Sequence, residues 1–278
     1  SFFVPVDKEY IGYFDFKTLT CLFCVLATVC ALRNIRFFYT LAKAIIRKFK
    51  NAKVCILGLV YITFISSMLI ANDMALLTFL PLGYFILHTT GKEKYMAFTF
   101  IMQNIAANLG GMLTPFGNPQ NLYIYTKYNI SDLEFVGIML PPFLLSVTLI
   151  TVCCLVFVKS EPLVIHEKAA SLPPIRVTIY LLLFLFSILI VFRFIPYQIG
   201  LVVIPLFLLF LDRRALLDVD YGLLFTFVFF FIFSGNMARI DAVRSFFSML
   251  LEKNTLVFSA LSCQFISNVP SAILLSQF

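Results

Sequence analysis

The sequence has 278 residues, of which 61% are hydrophobic and only 13% charged, with a mean hydropathy of +0.98 and a net charge of +7. A soluble domain carries about a quarter charged residues, so this composition excludes a soluble enzyme or binding module and describes an all-α polytopic membrane protein whose partner is the lipid bilayer. A basic excess in such a chain belongs to cytoplasmic loops, and no nucleic-acid partner is expected.

Taken in chain order, Ser1–Val6 reads as the stub of an earlier helix. The sequence has no initiator Met and no signal-peptide pattern, which predicts a processed or trimmed chain. Thr18–Leu32 is a first uncharged apolar run. Ile35–Lys50 is different: its Phe, Leu and Ile residues share one helical face and its basic residues the other, which predicts a helix at 35–50 lying in the membrane interface. Two short runs follow, Val54–Asn72 and Met74–Gly91, and are read as a re-entrant hairpin at 54–91. Tyr95–Thr126 is uncharged and long enough to cross a bilayer, yet contains "NLGGMLTPFGNPQN", which predicts a broken helix at 95–126. Phe135–Val158 is a further span, and 159–176, with Pro162, Pro173 and Pro174, a cytoplasmic linker. Val177–Phe192, Phe194–Leu211 and Tyr221–Ala238 are apolar again, 237–253 is a second interfacial helix, and 254–278 begins a second hairpin.

Orientation follows from the basic residues. Segment 33–53 holds seven Lys or Arg. Placing it in the cytoplasm, with 54–91 entering and leaving on that side, puts 14 Lys and Arg inside and 7 outside, as the positive-inside rule requires. Two full spans at 54–91 would give a poorer split.

"IANDMALL" from Ile70 and "ISNVPSAILL" from Ile266 are alike, and each follows a span and an amphipathic segment. In the orientation above the two hairpins open from opposite sides, which is the plan of an inverted-topology repeat. The first repeat is 1–158 and the second 177–278. A counterpart of Gly117–Asn121 would fall beyond Phe278, so the second repeat is expected to be incomplete here.

In hydrocarbon an unpaired backbone N–H or C=O costs several kcal/mol, so irregular backbone at membrane depth is tolerated only around a protein-enclosed, hydrated cavity. Gly110 and Gly111 let the chain unwind, and Pro115 and Pro119 remove donors and free carbonyls. Thr114, Asn118, Gln120 and Asn121 add side-chain partners. Freed carbonyls and amide oxygens suit a hard cation, while the N-terminus of a half-helix suits an anion. The competing reading is packing and kinking for the Gly and Pro residues, and ordinary interhelical hydrogen bonds for Asn72 and Asn268. Asp73 is the one acidic residue placed at membrane depth. It either binds a coupling cation or carries a proton, or it caps a helix at a wet hairpin turn.

The seven Cys lie in apolar runs and read as small buried residues. His88 and His166 have no ligand-spaced partner, so no zinc site is expected. No phosphate loop or nucleophile–base set is present, so the chain is not read as an enzyme, and no cofactor is expected besides a coupling ion.

"GGMLTPFGNPQN" followed by "SNVPSAILL" resembles the ion transporter superfamily, and most closely its citrate-transporter-like permeases, relatives of the divalent-anion:sodium symporters and arsenite-efflux permeases. "SMLIANDMALLTFLP" and "FVFFFIFSGNMARI" extend the likeness over almost the whole chain. The resemblance implies a homodimeric elevator-type carrier in the plasma membrane. In sodium-coupled relatives a Ser-Asn-Thr signature at each hairpin tip touches substrate carboxylate. Ser267-Asn268 keeps two of its positions before Val269, whereas Ala71-Asn72-Asp73 keeps only Asn. The reading is a secondary active transporter coupling Na⁺ or H⁺ to uptake of a small organic anion such as citrate or a dicarboxylate. Asn72, Asp73, Gly117 and Asn118 would hold the cation, and Thr114, Asn118, Asn121, Ser267 and Asn268 the substrate. The alternatives are arsenite or anion efflux, Na⁺/H⁺ antiport, and an ion channel.

Overall fold

The computed structural model describes residues 4–46, 48–163 and 172–278. The first three residues of the N-terminal stub, and 164–171 of the linker with His166, lie outside the described residues.

The fold is all-helical, and the only pairing of extended chain among the described residues is a bridge between Asn51 and Pro162. Helix α1 (Phe16–Asn34) starts where Asp15 accepts hydrogen bonds from the Thr18 amide at 2.9 Å and the Thr18 hydroxyl at 2.6 Å. Its residues Leu22 and Cys24–Leu32 are buried against α8 (Pro174–Val191), α9 (Tyr197–Leu211) and the short α10 (Arg213–Leu217). This is one packing unit.

The second unit is built on α3 (Ala52–Ser67), α4 (Asn72–Thr89) and α5 (Met96–Gly110). Ile56, Val60, Phe64, Met102 and Ala106 form its core, with Ile150 and Cys154 of α7 (Asp132–Phe157) packed on it. The α3–α4 pair returns to where it began. Glu161 shows this: its carbonyl accepts from the Ala52 amide at 2.8 Å, and its carboxylate meets Lys92 at 2.7 Å, Lys94 at 2.5 Å and the Tyr95 hydroxyl at 2.9 Å. Those three donors hold the Glu161 carboxyl down to about 2.

Between the units, α2 (Phe37–Ile46) covers the middle of the 35–50 segment expected from the amphipathic pattern, and it starts at Phe37 because Arg36 adopts a left-handed φ of 57° that separates it from α1. Helix α11 (Tyr221–Ala238) leads into α12 (Asp241–Ile266). Asn254 leaves helical geometry inside α12 (φ −165°, ψ 93°), and its side chain accepts from the Val257 amide at 3.0 Å, restarting the helix. The kink thus falls between the predicted interfacial stretch and the predicted hairpin arm. Helix α13 (Asn268–Leu275) closes the described chain.

Among the described residues, four helical segments are long and apolar enough to cross a membrane: Phe16–Asn34, Asp132–Phe157, Pro174–Val191 and Arg213–Ala238. Leu144, Leu145, Leu149 and Val156 on α7, and Phe225 and Phe229 on α11, point away from the protein. Side chains this apolar on an outer face belong against acyl chains.

Candidate functional site

The helical pattern beginning at Met96 stops at Gly110, is lost through Gly111–Asn118, and resumes as α6 (Pro119–Lys127). Local chemistry accounts for both ends. Pro119 takes the first helical position of α6, where its missing N–H is no loss. Gly110 and Gly117 sit where a Cβ has no room. At Gly110 it would overlap the Phe64 carbonyl oxygen and approach Ser67 Oγ, and at Gly117 it would overlap the Gly111 carbonyl oxygen.

The turn Met68–Ala71 between α3 and α4 packs on this interruption. Thr114 Oγ1 donates to the Met68 carbonyl at 2.7 Å. Asn72 Nδ2 donates to Asn108 Oδ1 at 2.9 Å. Asn118 Nδ2 donates weakly to the Asn108 carbonyl at 3.5 Å. Asn108 therefore meets both the hairpin turn and the start of α6, and its own Nδ2 is fixed by the Asn104 carbonyl at 2.9 Å. Sequence reasoning left Asn104 and Asn108 out of the site. Their signal was an Asn at i and i+4 near the end of a mostly apolar helix.

Asn118 and Asn121 are both buried but are not equivalent. Asn121 Nδ2 is committed to the Gly111 and Met112 carbonyls, at 3.3 and 3.2 Å, and so braces the break. Asn118 Oδ1 is buried and, among the described residues, receives no hydrogen bond. A buried amide oxygen left without a donor costs roughly 1–3 kcal/mol. An acceptor in this position is completed by a cation or by an N–H or O–H donor of a bound molecule; Gln103 Oε1 is buried in the same state. The structure thus gathers Asn72, Thr114, Gly117, Asn118 and Asn121 around one interruption. Asp73 lies beside them in the first turn of α4, exposed and outside this hydrogen-bond network.

Gln103 is a second residue that the sequence reading passed over. Fully buried on α5, it donates from Nε2 to Thr63 Oγ1 at 3.1 Å and to the Phe79 carbonyl at 3.0 Å, pinning both arms of the α3–α4 pair. Gly83 makes room for it, since a Cβ there would lie 2.8 Å from Gln103 Oε1.

Ser267 and Asn268 lie elsewhere. Ser267 turns the chain between α12 and α13 with a left-handed φ of 64°, and Ser271 Oγ donates to Ser262 Oγ at 2.7 Å across the two arms. Asn268 lines a cavity of about 410 Å³ with Ser271, Thr255 and Tyr128, facing Gln120 of α6. Among the described residues no hydrogen bond joins Ser267 or Asn268 to the group around Asn118. Helix α6 stands between the two: its N-cap Asn118 belongs to the first group and Gln120 to the second cavity. The N-termini of α4, α6 and α13 all lack a side-chain cap. Their first N–H groups have no intrahelical partner and attract negative charge.

Residues 2–277 match the citrate transporter family. An uncharacterized transporter of Methanocaldococcus jannaschii is 30% identical over 96% of this chain and 73% of its own length. The inner membrane protein YbiR of Escherichia coli is 27% identical over 100% of this chain and 76% of its own length. A protein of Dictyostelium discoideum named as the transporter arsB is 26% identical over 43% of this chain and 21% of its own length.

Proposed function

We propose that this chain, which belongs to the citrate transporter family and is a multi-pass membrane transporter, works as a secondary active carrier that takes up a small organic anion, such as citrate or a dicarboxylate, coupled to Na⁺ or H⁺. The observation that carries the reading is the buried Asn118 Oδ1, which accepts no hydrogen bond from any described residue and sits at an interruption of the α5–α6 helix. The cation binds at Asn118 Oδ1 with Asn72, the backbone around Gly117 and, when the turn closes, Asp73. The anion lies against the uncapped N-termini of α6 and α13, with Thr114, Asn121, Ser267 and Asn268 toward it. Charge balance favours this order: a cation bound first beside α6 offsets the repulsion a carboxylate meets from freed carbonyls. Moving one elementary charge down the membrane potential supplies about 2.3 kcal/mol per 100 mV.

Two features support a repeat, which this reading takes as inverted. The first arm of each helix pair begins at a capping Asn, Asn51 donated to by the Lys53 amide and Asn254 by that of Val257. The second arm of each begins at Asn72 or Asn268. In this reading both pairs are re-entrant, the packing unit around α5 moves against the unit around α1 as an elevator in a homodimer, and segment 33–53 faces the cytoplasm of a plasma membrane.

The test is uptake of labelled citrate and succinate into proteoliposomes under an imposed Na⁺ or H⁺ gradient. Saturable, gradient-driven uptake lost in Asn118→Ala supports the reading. Cation exchange without any effect of organic anion identifies an antiporter instead, and flux that neither saturates nor exchanges labelled substrate identifies a channel.

A further inference from the structure

Segment 33–53 carries seven Lys or Arg and no acidic residue. Two of them converge away from the α5–α6 interruption. Arg33 is in the last turn of α1 and half-buried, and its Nη1 donates to Met74 Sδ of α4 at 3.0 Å. Arg36 is held in its left-handed corner by its own amide, which donates to the Arg33 carbonyl at 2.8 Å, and by its carbonyl, which accepts from the Thr40 amide at 2.9 Å. Among the described residues, neither guanidinium has a carboxylate within ion-pair distance. Both line a cleft of about 430 Å³ between α2 and α4, together with Tyr39, Thr78, Leu77 and Pro81.

The cleft has two kinds of wall. One end is cationic, with hydroxyl groups beside it. The other is apolar and exposed along α4, with Leu77, which is 66% exposed, in the cleft and Tyr84 following at helical spacing on the same face. Further along the same groove Lys43 lies over the Phe85 ring, 5.6 Å from its centroid. The cleft lies where the C-terminal end of α1, a helix long enough to cross the bilayer, meets the first turns of α4. A free carboxylate would leave the apolar wall bare, whereas a molecule with an anionic head and an apolar tail matches both walls.

We propose that the α2–α4 cleft is a binding site for an anionic phospholipid, its phosphodiester held by Arg33 and Arg36 and its acyl chains laid over Leu77 and Pro81. A guanidinium presents paired N–H donors that fit phosphate oxygens in a bidentate way. A lipid seated there bridges the α1–α2 corner to α4, and so joins the two packing units through a ligand. The site is separate from the group around Asn118 and does not depend on which solute is carried.

The experiment is native mass spectrometry of the delipidated full chain in detergent, titrated with phosphatidylglycerol or phosphatidylcholine. Phosphatidylglycerol is expected to bind about tenfold tighter, and the double variant R33Q/R36Q to lose about that factor, because both phosphate-binding forks are gone. The variant K48Q/K50Q removes the same charge away from the cleft and is expected to bind as the parent does. Excess free citrate is expected to leave lipid binding unchanged. Should the double variant not fold, R36Q alone, at an exposed residue, carries the same comparison. Equal binding of the two lipids overturns the proposal, as does an equal loss in K48Q/K50Q. Displacement of the lipid by free citrate also overturns it, and would make the cleft a solute site.

Discussion

Asn72 donates its Nδ2–H to Asn108 Oδ1 at 2.9 Å and thereby fastens the first turn of α4 to the last turn of α5, next to the place where the α5 helix gives way. Because the Asn108 carbonyl also receives Asn118 Nδ2, a displacement of the hairpin turn is passed to the buried amide at the head of α6. This chain of two amides joins the position of the hairpin turn to the cation site proposed at Asn118.

Asn118→Ala removes an oxygen that has no donor and a hydrogen bond of only 3.5 Å. The melting temperature in detergent is expected to change little, by the equivalent of about 0–1 kcal/mol. Cation-driven uptake is expected to fall at least about tenfold, corresponding to some 1.4 kcal/mol of lost binding. A large drop in melting temperature with transport retained would make Asn118 a structural brace.

Asp73→Asn separates the two readings of that carboxylate. It is exposed in the first turn of α4, where a negative charge also suits the helix dipole. If it ligates the coupling ion, the substitution raises the Na⁺ or H⁺ concentration needed for half-maximal uptake. If it only stabilises the helix start, ion dependence stays as in the parent and stability falls by about 0.3–1 kcal/mol.

Gly110→Ala forces a Cβ onto the Phe64 carbonyl oxygen, a backbone atom that cannot swing aside. A loss of about 1–3 kcal/mol is expected in a denaturation midpoint. Gly137→Ala, in α7 with nothing within 4 Å of the added Cβ, is expected to be neutral or stabilising by up to about 1 kcal/mol. Equal behaviour of the two variants would show that close approach at the break does not matter.

A double-mutant cycle on Asn72→Ala and Asn108→Ala reads the coupling directly. The two side chains share one hydrogen bond, so a non-additive component of about 0.5–1.5 kcal/mol is expected in stability. Additivity would mean that the turn and α5 are held together by packing alone.

The Glu161 clamp gives a pH signature. Its carboxyl is lowered from 4.5 to about 2 by Lys92, Lys94 and Tyr95. A carboxylate whose folded value lies below its unfolded one stabilises the fold above the unfolded value, and that contribution is lost as pH falls through the folded one. The melting temperature is therefore expected to be insensitive to this group above about pH 5 and to decline between 4.5 and about 2. Glu161→Gln should lower it at neutral pH and flatten that decline. An unchanged profile would show that the linker segment does not hold the hairpin base.

Individual elements show how far sequence carries the argument. The interruption at Gly110–Asn118 was legible because Gly and Pro act on their own backbone. The kink inside α12 falls at Asn254, a residue type that ends one helical stretch and caps the next. By contrast, Asn121 and Asn118 look alike in sequence, Gln103 drew no notice, and Asn108, although it opens the Gly- and Pro-rich stretch, was not placed in the site. Hydrogen-bond satisfaction is set by what arrives from elsewhere in the chain: Thr63 and Phe79 for Gln103, and Asn72 for Asn108.

The sequence by itself determined that this chain lives in a bilayer as apolar helices, and that one of them breaks, because hydropathy and backbone propensity are local properties. Tertiary packing decided which buried amide oxygens, Asn118 Oδ1 and Gln103 Oε1, stay without a donor among the described residues. It also put Asn268 in one cavity with Gln120, without a hydrogen bond to the group around Asn118 among the described residues, and closed the base of the α3–α4 pair on Glu161. Those outcomes depend on the relative positions of helices far apart in the chain, and no local pattern encodes them.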